Sequence, residues 1–154
     1  MSRFIGDYQS KFDSKGRVVI PSNFRKLIQS NSIDVFVVRK NIYENCLDLY
    51  PYAEWEKQIN LIKSKLNLFN RTHSAFLREY HRGVCELSMD SNGRILINSR
   101  FLESVNIDKE VMILGLDTKL EIWAVDEYSK CSINNEDYMN LAAEILGKNI
   151  EGIL

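Results

Sequence analysis

Residues 13–25 read DSKGRVVIPSNFR, and seventy-seven positions later residues 90–102 read DSNGRILINSRFL. Any fold open to this chain must therefore house the same turn and the same trailing strand twice. The repetition runs past the motif. At the same offset VFVV (35–38) matches MILG (112–115). After the loop shortens by four residues, CLDLYPYAEW (46–55) matches KLEIWAVDEY (119–128). Leu47 then aligns with Leu120, Asp48 with Glu121, Leu49 with Ile122 and Trp55 with Tyr128. Two collinear blocks joined by one short gap are the signature of an internal duplication.

Each copy has the same grammar. A strand runs into Asp-Ser-x-Gly, where the Asp side chain bonds backbone two residues on and Gly16 or Gly93 supplies a positive φ, so the chain is expected to fold back as a hairpin. The return strands, Arg-Val-Val-Ile (17–20) and Arg-Ile-Leu-Ile (94–97), are β-branched. A short helix follows, opened by Pro21 in the first copy and capped by Asn98 or Ser99 in the second. Two further strands close each unit, DVFVVRK with CLDLY and EVMILGL with KLEIW.

Helices fill the rest. Tyr52, Trp55, Ile59, Ile62 and Leu66 recur at spacings of three and four. A second helix is predicted from Asn70, as cap, to Gly83. A third carries the stripe Tyr138, Leu141, Ala142, Ile145 and stops at Gly147. All three stripes are read as packing faces, against the sheet or a neighbouring subunit. The expected architecture is α+β: one domain over 1–154, built of repeats at about 1–55 and 83–128, joined by helices at about 52–82, with a C-terminal helical segment at about 126–147. A chain of 154 residues buries close to ~70% of its unfolded surface and needs no staples.

Composition excludes several classes. The chain is 45% hydrophobic and 27% charged, with two Pro, as in ordinary globular domains. Its start, MSRFIGDYQSKFD, carries charges where a signal peptide needs an apolar stretch, and no apolar run approaches the ~20 residues of a spanning helix. A cytoplasmic protein without membrane partners is expected. Cys46, Cys85 and Cys131 are too few and too scattered for a disulfide framework or a zinc motif. His73 and His81 have no ligand-spaced companions.

Asp13 and Asp90 are read as turn formers. A carboxylate pair for acid–base chemistry would need a nucleophile or second polar group from the same motif. DSNG opens like a calcium loop, but the position that should hold its Glu holds Phe101. No catalytic, metal or cofactor site is expected, and the chain is not read as an enzyme.

Arg17 and Arg94 are not required by a turn. One reading is an Arg paired to its own Asp. The other is a β-ribbon presenting Lys15 and Arg17, and again Asn92 and Arg94, to a major groove, where the Arg fork can bond a guanine edge or a phosphate at two points. Net charge is −1, but residues 1–26 carry +4 and residues 101–154 carry −7, the pattern of a basic working face and an acidic end.

DSKGRVVIPSNFR resembles the Asp-x-Lys-Gly-Arg-x-x-x-Pro-x-x-x-Arg signature of the MraZ family, bacterial transcription regulators related to the AbrB-type swapped-hairpin DNA-binding fold. Phe4, Gly6, LDLYPYAEW (47–55), CELSMDSNGRILI (85–97), KEVMILG (109–115) and LEIW (120–123) are similar to family positions as well. The resemblance implies two AbrB-like halves intertwined into a small β-barrel-like core with flanking helices. It also implies a ring-shaped homo-oligomer of about eight subunits, and nucleoid-associated binding to double-stranded DNA at promoter repeats upstream of the cell-division and cell-wall gene cluster, the regulator's own promoter included. DNA contact falls on Lys15, Arg17, Asn92 and Arg94, and turn formation on Asp13, Gly16, Asp90 and Gly93. The second copy has Asn98 where Pro is frequent and Leu102 in place of Arg25, so the first tip is expected to dominate. AbrB-type folds also serve as antitoxin-like protein binders, which is the alternative function.

Overall fold

The computed structural model describes residues 3–147 and Gly152; the first two residues of the expected first repeat lie outside this range. Each half repeats one order of elements. The first contributes β1 (Phe4–Lys11), β2 (Arg17–Val19), α1 (Ser22–Ser30), β3 (Phe36–Lys40), β4 (Leu47–Pro51) and α2 (Tyr52–Ser64). After α3 (Arg71–His81) the second contributes β5 (Cys85–Leu87), β6 (Arg94–Leu96), α4 (Ser99–Ser104), β7 (Glu110–Asp117), β8 (Leu120–Ala124) and α5 (Val125–Lys130), and α6 (Asn135–Leu146) follows.

Helix starts follow the capping chemistry in the sequence. Asn70 accepts from the backbone N–H groups of Thr72 and His73, and Asn98 from that of Arg100. Pro21 occupies the cap position of α1 rather than its first turn. Gly147, at φ 85°, ends α6.

The halves are intertwined. Six strands form an antiparallel sheet in the order β1-β7-β8-β4-β3-β5, and β2 pairs with β6 in a separate two-stranded ribbon. Apart from the β3–β4 and β7–β8 hairpins, every ladder joins one half to the other. The order reads the same from both ends once equivalent strands are exchanged. A pseudo-two-fold axis passes between Asp48 and Glu121, which are register partners, and again between Val18 and Ile95.

Two sequence expectations change here. The core is not a closed barrel, because β1 and β5 remain as sheet edges. The predicted hairpin is only a stub: a single Phe12–Val18 bridge closes the turn, and the return strand then leaves β1 to pair with its counterpart. The alternation of Val18 and Ile95 (buried) with Val19 and Leu96 (exposed) explains the separation, since the ribbon must turn one face inward over the sheet.

The main core lies between that inner ribbon face and the sheet. Val18, Ile20, Ile95 and Ile97 meet Phe36, Leu47, Leu49, Leu120 and Ile122, with Phe24 of α1 and Phe101 of α4 closing the sides. On the opposite sheet face Val37 and Tyr50 pack against Trp55, Ile59 and Tyr80.

That opposite face also carries charge at the axis. Lys119 Nζ bonds Asp48 Oδ1 at 2.9 Å and Glu121 Oε2 at 3.2 Å, while Trp123 Nε1 donates to Glu121 at 3.0 Å. Burial works against the Lys119 charge, but the bond and field of Asp48 prevail and raise its pKa. Cys46 Sγ and the two carboxylates lie within 4.8 Å of one another. This is the spacing of cation ligands, and the ammonium of Lys119 serves as the cation. Sequence reading aligned Asp48 with Glu121 but assigned them nothing. Their place between large apolar residues in strands LDLYP and LEIWA was the available signal.

A buried ion cluster is most costly when one member is removed. Lys119→Met is therefore expected to lower unfolding free energy by about 3 kcal/mol, read by urea titration at pH 7. Adding Glu121→Gln should recover part of the loss, because fewer buried charges are left uncompensated.

Candidate nucleic-acid interface

Both Asp-Ser-x-Gly-Arg turns are built by identical bonds. Asp13 N–H donates to the Arg17 carbonyl at 2.8 Å and Gly16 N–H to the Asp13 carbonyl at 3.1 Å; the same distances recur at Asp90, Arg94 and Gly93. Asp13 Oδ1 accepts from the N–H groups of Lys15 and Arg17, and Asp90 Oδ1 from those of Asn92 and Arg94. The carboxylate's other oxygen takes Arg Nε, at 2.7 Å for Arg17 and 3.1 Å for Arg94.

The two turns also clasp each other. Ile97 N–H donates to the Gly16 carbonyl and Ile20 N–H to the Gly93 carbonyl, both at 2.9 Å. Gly16 has φ 84°, and a Cβ there would come within 2.7 Å of the Ile97 carbonyl oxygen. The close approach and the left-handed backbone each demand glycine.

On the outer face of the ribbon, register pairs Arg17 with Leu96 and Val19 with Arg94. The exposed surface is thus a pseudo-symmetric patch of two Arg side chains and two apolar ones, Val19 and Leu96 being 44% and 60% exposed. Lys15 and Asn92 project from the turns that flank it, both exposed. The four residues expected to contact DNA, Lys15, Arg17, Asn92 and Arg94, therefore gather at one ribbon.

The paired-Arg reading of Arg17 and Arg94 is correct as geometry, and it does not exclude contact with a ligand. Each pair is made through Nε, at the base of the fork, so Asp fixes the direction in which the terminal amines point. Their side chains remain about a third exposed, at 32% and 28%.

Arg25 adds a cation that sequence alignment misplaced. Its side chain lies across Gly93, so the last Arg of the first motif stands at the second turn. The charge reason for expecting the first tip to dominate is thereby removed: Lys15 and Arg17 serve one turn, Arg25 and Arg94 the other. No signal within one copy could have revealed this, because it depends on the crossing of the halves.

His73 and His81 serve local bonds. His73 Nδ1 accepts from Asn67 N–H, and His81 Nδ1 lies 2.9 Å from the Leu77 carbonyl oxygen. Among the described residues no helix is long and apolar enough to cross a membrane.

The family model described as "MraZ protein, putative antitoxin-like" matches residues 3–79 and 81–148, one match for each half. The chain belongs to the MraZ family. A protein of Phocaeicola vulgatus named "Transcriptional regulator MraZ" is 39% identical over 147 residues, 96% of either chain. Relatives with the same name from Bacteroides thetaiotaomicron (37% identical, covering 95% of this chain and 94% of the relative) and Clostridium tetani (35%, covering 92% and 96%) are similar along nearly their whole length. Among MraZ features quoted from the sequence, Asp13, Gly16, Arg17 and Pro21 form the first turn and its exit, while Arg25 crosses to the second.

The turn carboxylates make stability pH-dependent. Both are held below their ordinary value of 3.8, chiefly by the backbone N–H of Arg17 or Arg94. A carboxyl whose folded pKa is lowered stabilises the fold above its unfolded pKa and loses that contribution as pH falls through the folded one. Asp13→Asn and Asp90→Asn should each be less stable than the parent at pH 7, and the difference should shrink at pH values well below 3.8. Denaturant midpoints measured across that range decide it.

Proposed function

We propose that this chain is a sequence-specific DNA-binding transcriptional regulator and that the β2–β6 ribbon is its reading element. The observation that carries this is the outer ribbon face, where Arg17 and Arg94 are each fixed through Nε by a neighbouring carboxylate. Two-stranded ribbons fit the major groove, and an oriented Arg fork matches guanine or phosphate acceptors. Lys15 and Arg25 add sequence-independent attraction to phosphates, and Asn92 adds a donor and an acceptor at the second turn. The name carried by the relatives supports the same reading.

The targets proposed are short repeats upstream of a cell-division and cell-wall gene cluster, including the regulator's own promoter, with the protein at the nucleoid. The chain acts as one domain, since its halves share their strands, and several copies assemble as a ring of about eight. A second reading, an antitoxin-like binder of a partner protein, draws on the family's description. Footprinting on the upstream operon DNA separates them: protection of spaced repeats supports the regulator, and its absence favours the protein binder.

Arg17→Ala and Arg94→Ala are each expected to weaken specific DNA binding by about 1–3 kcal/mol per lost bidentate contact. Stability should fall by no more than about 1 kcal/mol, since these ion pairs lie near the surface. Gel shifts at fixed salt and denaturant titration give the two readouts. A variant that binds like the parent would return Arg17 to a purely structural role.

One ribbon with four cations neutralises few phosphates, so its log–log salt slope should be about −3 to −4. Assembly makes later contacts intramolecular and raises avidity by about 10²–10⁴ when spacing matches. Affinity for duplexes with one to four repeats should therefore climb steeply, and shifting the spacer by half a helical turn, about five base pairs, should undo most of the gain.

A further inference from the structure

Arg39 of β3 is only 8% exposed, and its Nε has no hydrogen-bond partner among the described residues. Its guanidinium carbon lies 3.8 Å from the centroid of the Tyr80 ring. That contact favours a cation but satisfies none of its five N–H donors. The cross-strand neighbour that should pair with it is Asp48. Asp48 is already engaged by Lys119 at 2.9 Å and by Asn41 Nδ2 at 3.1 and 3.2 Å. Arg39 is thus a buried cation whose own carboxylate has been claimed by another.

Arg39 lines a groove of about 350 Å³ between β3 and α3, with Lys40, Ile42, Phe76, Tyr80 and Arg82 along its walls. The groove's own acid, Glu79, is bonded to Arg82 Nε at 3.0 Å. Ile42 and Phe76 are 54% and 46% exposed at its rim. Such a groove fits an acidic side chain flanked by apolar ones, because buried charges are retained where they find a partner.

The chain carries that shape elsewhere. Helix α6 has no buried residue, exposes Leu141 and Ile145, and bears Glu136, Asp137 and Glu144 with no basic residue among its twelve. Asp137 is used in the cap, where Asn134 Nδ2 donates to it at 2.9 Å. Glu144 stands three residues beyond Leu141 and next to Ile145, on the edge of the apolar stripe. Helix α5, which leads into α6, packs on β7 and β8, whereas the groove belongs to β3 at the other end of the sheet. A helix from one end that fits a groove at the other makes a head-to-tail contact, the kind that closes rings.

We propose that the Arg39 groove is a carboxylate-binding site and that Glu144 of a second copy fills it, with Leu141 and Ile145 of that copy packing on Ile42 and Phe76. The inference rests on the self-assembly proposed above and names the contact that forms it.

The test is sedimentation velocity of the full chain over a concentration series without DNA. Glu144→Arg, a surface change that leaves the fold intact, and Arg39→Glu should each raise the concentration needed for assembly by about tenfold or more. The double variant Arg39→Glu/Glu144→Arg should assemble at concentrations near those of the parent. A Glu144→Arg chain that assembles like the parent, or a double variant no better than either single, overturns the proposal. So does a parent chain that stays monomeric. If succinate raises the melting temperature of the parent but not of Arg39→Met, while Glu144→Arg assembles normally, the groove holds a small free carboxylate and the second-copy occupant is wrong. Binding to a single-repeat duplex, measured on the same variants, should be unchanged, so a failure of the DNA-binding reading would be seen separately.

Discussion

The backbone of β1 finds its hydrogen-bond partners in β7, that of β2 in β6 and that of β5 in β3, so the strands of each half are completed only by the other half. An unpaired backbone group away from water is costly, and this single constraint fixes most of the rest. It places the equivalent residues Asp48 and Glu121 side by side at the axis. One cation, Lys119, then has to serve two acids, and its bond to Asp48 leaves Arg39 without a mate. The same crossing brings the two Asp-Ser-x-Gly-Arg turns to one ribbon and lays Arg25 over the turn of the opposite copy.

The chemistry of the ribbon depends on the Asp that precedes each Arg. A free Arg on a turn samples many directions and loses that freedom on binding. Here one carboxylate oxygen binds two backbone N–H groups, and the other binds Nε, so the fork is aimed before any partner arrives. Part of the Arg charge is offset by its Asp. In the DNA-binding reading proposed above, the arrangement favours directed contact over raw electrostatic pull, which Lys15 and Arg25 are left to supply.

Local features were legible in the sequence because they depend on neighbours in the chain. The duplication, the glycine turns, the Asn70 and Asn98 caps and the α6 terminus at Gly147 all belong to this class. The predicted hairpin became a one-bridge stub because Val18 and Ile95 must both face the sheet, a demand set by the other half. The barrel-like core expected from the resemblance is formed by the sheet and the ribbon over it but is not closed, because β1 and β5 remain as edges. Among the site residues, Asp13, Arg17, Asp90 and Arg94 announced themselves through repetition. The position of Arg25 and the isolation of Arg39 did not, since each depends on which strand crosses which. The apolar stripe of α6 was legible as a stripe, but as no residue of that helix is buried, it is not a packing face within the chain.

The intertwining has a consequence for how the molecule comes into being. When a ribosome has made the first half, β1 is synthesised but its partner β7, more than a hundred residues downstream, is not. The nascent half exposes an open strand edge and the apolar faces of Val18 and Ile20, and cannot settle domain-wise as a chain of independent units would. Most of the sheet must wait for contacts between residues far apart in sequence, which slows the search. Folding of this chain must accordingly wait until β7 has been made, and the interval before that is when the chain is most exposed to association with the wrong strand.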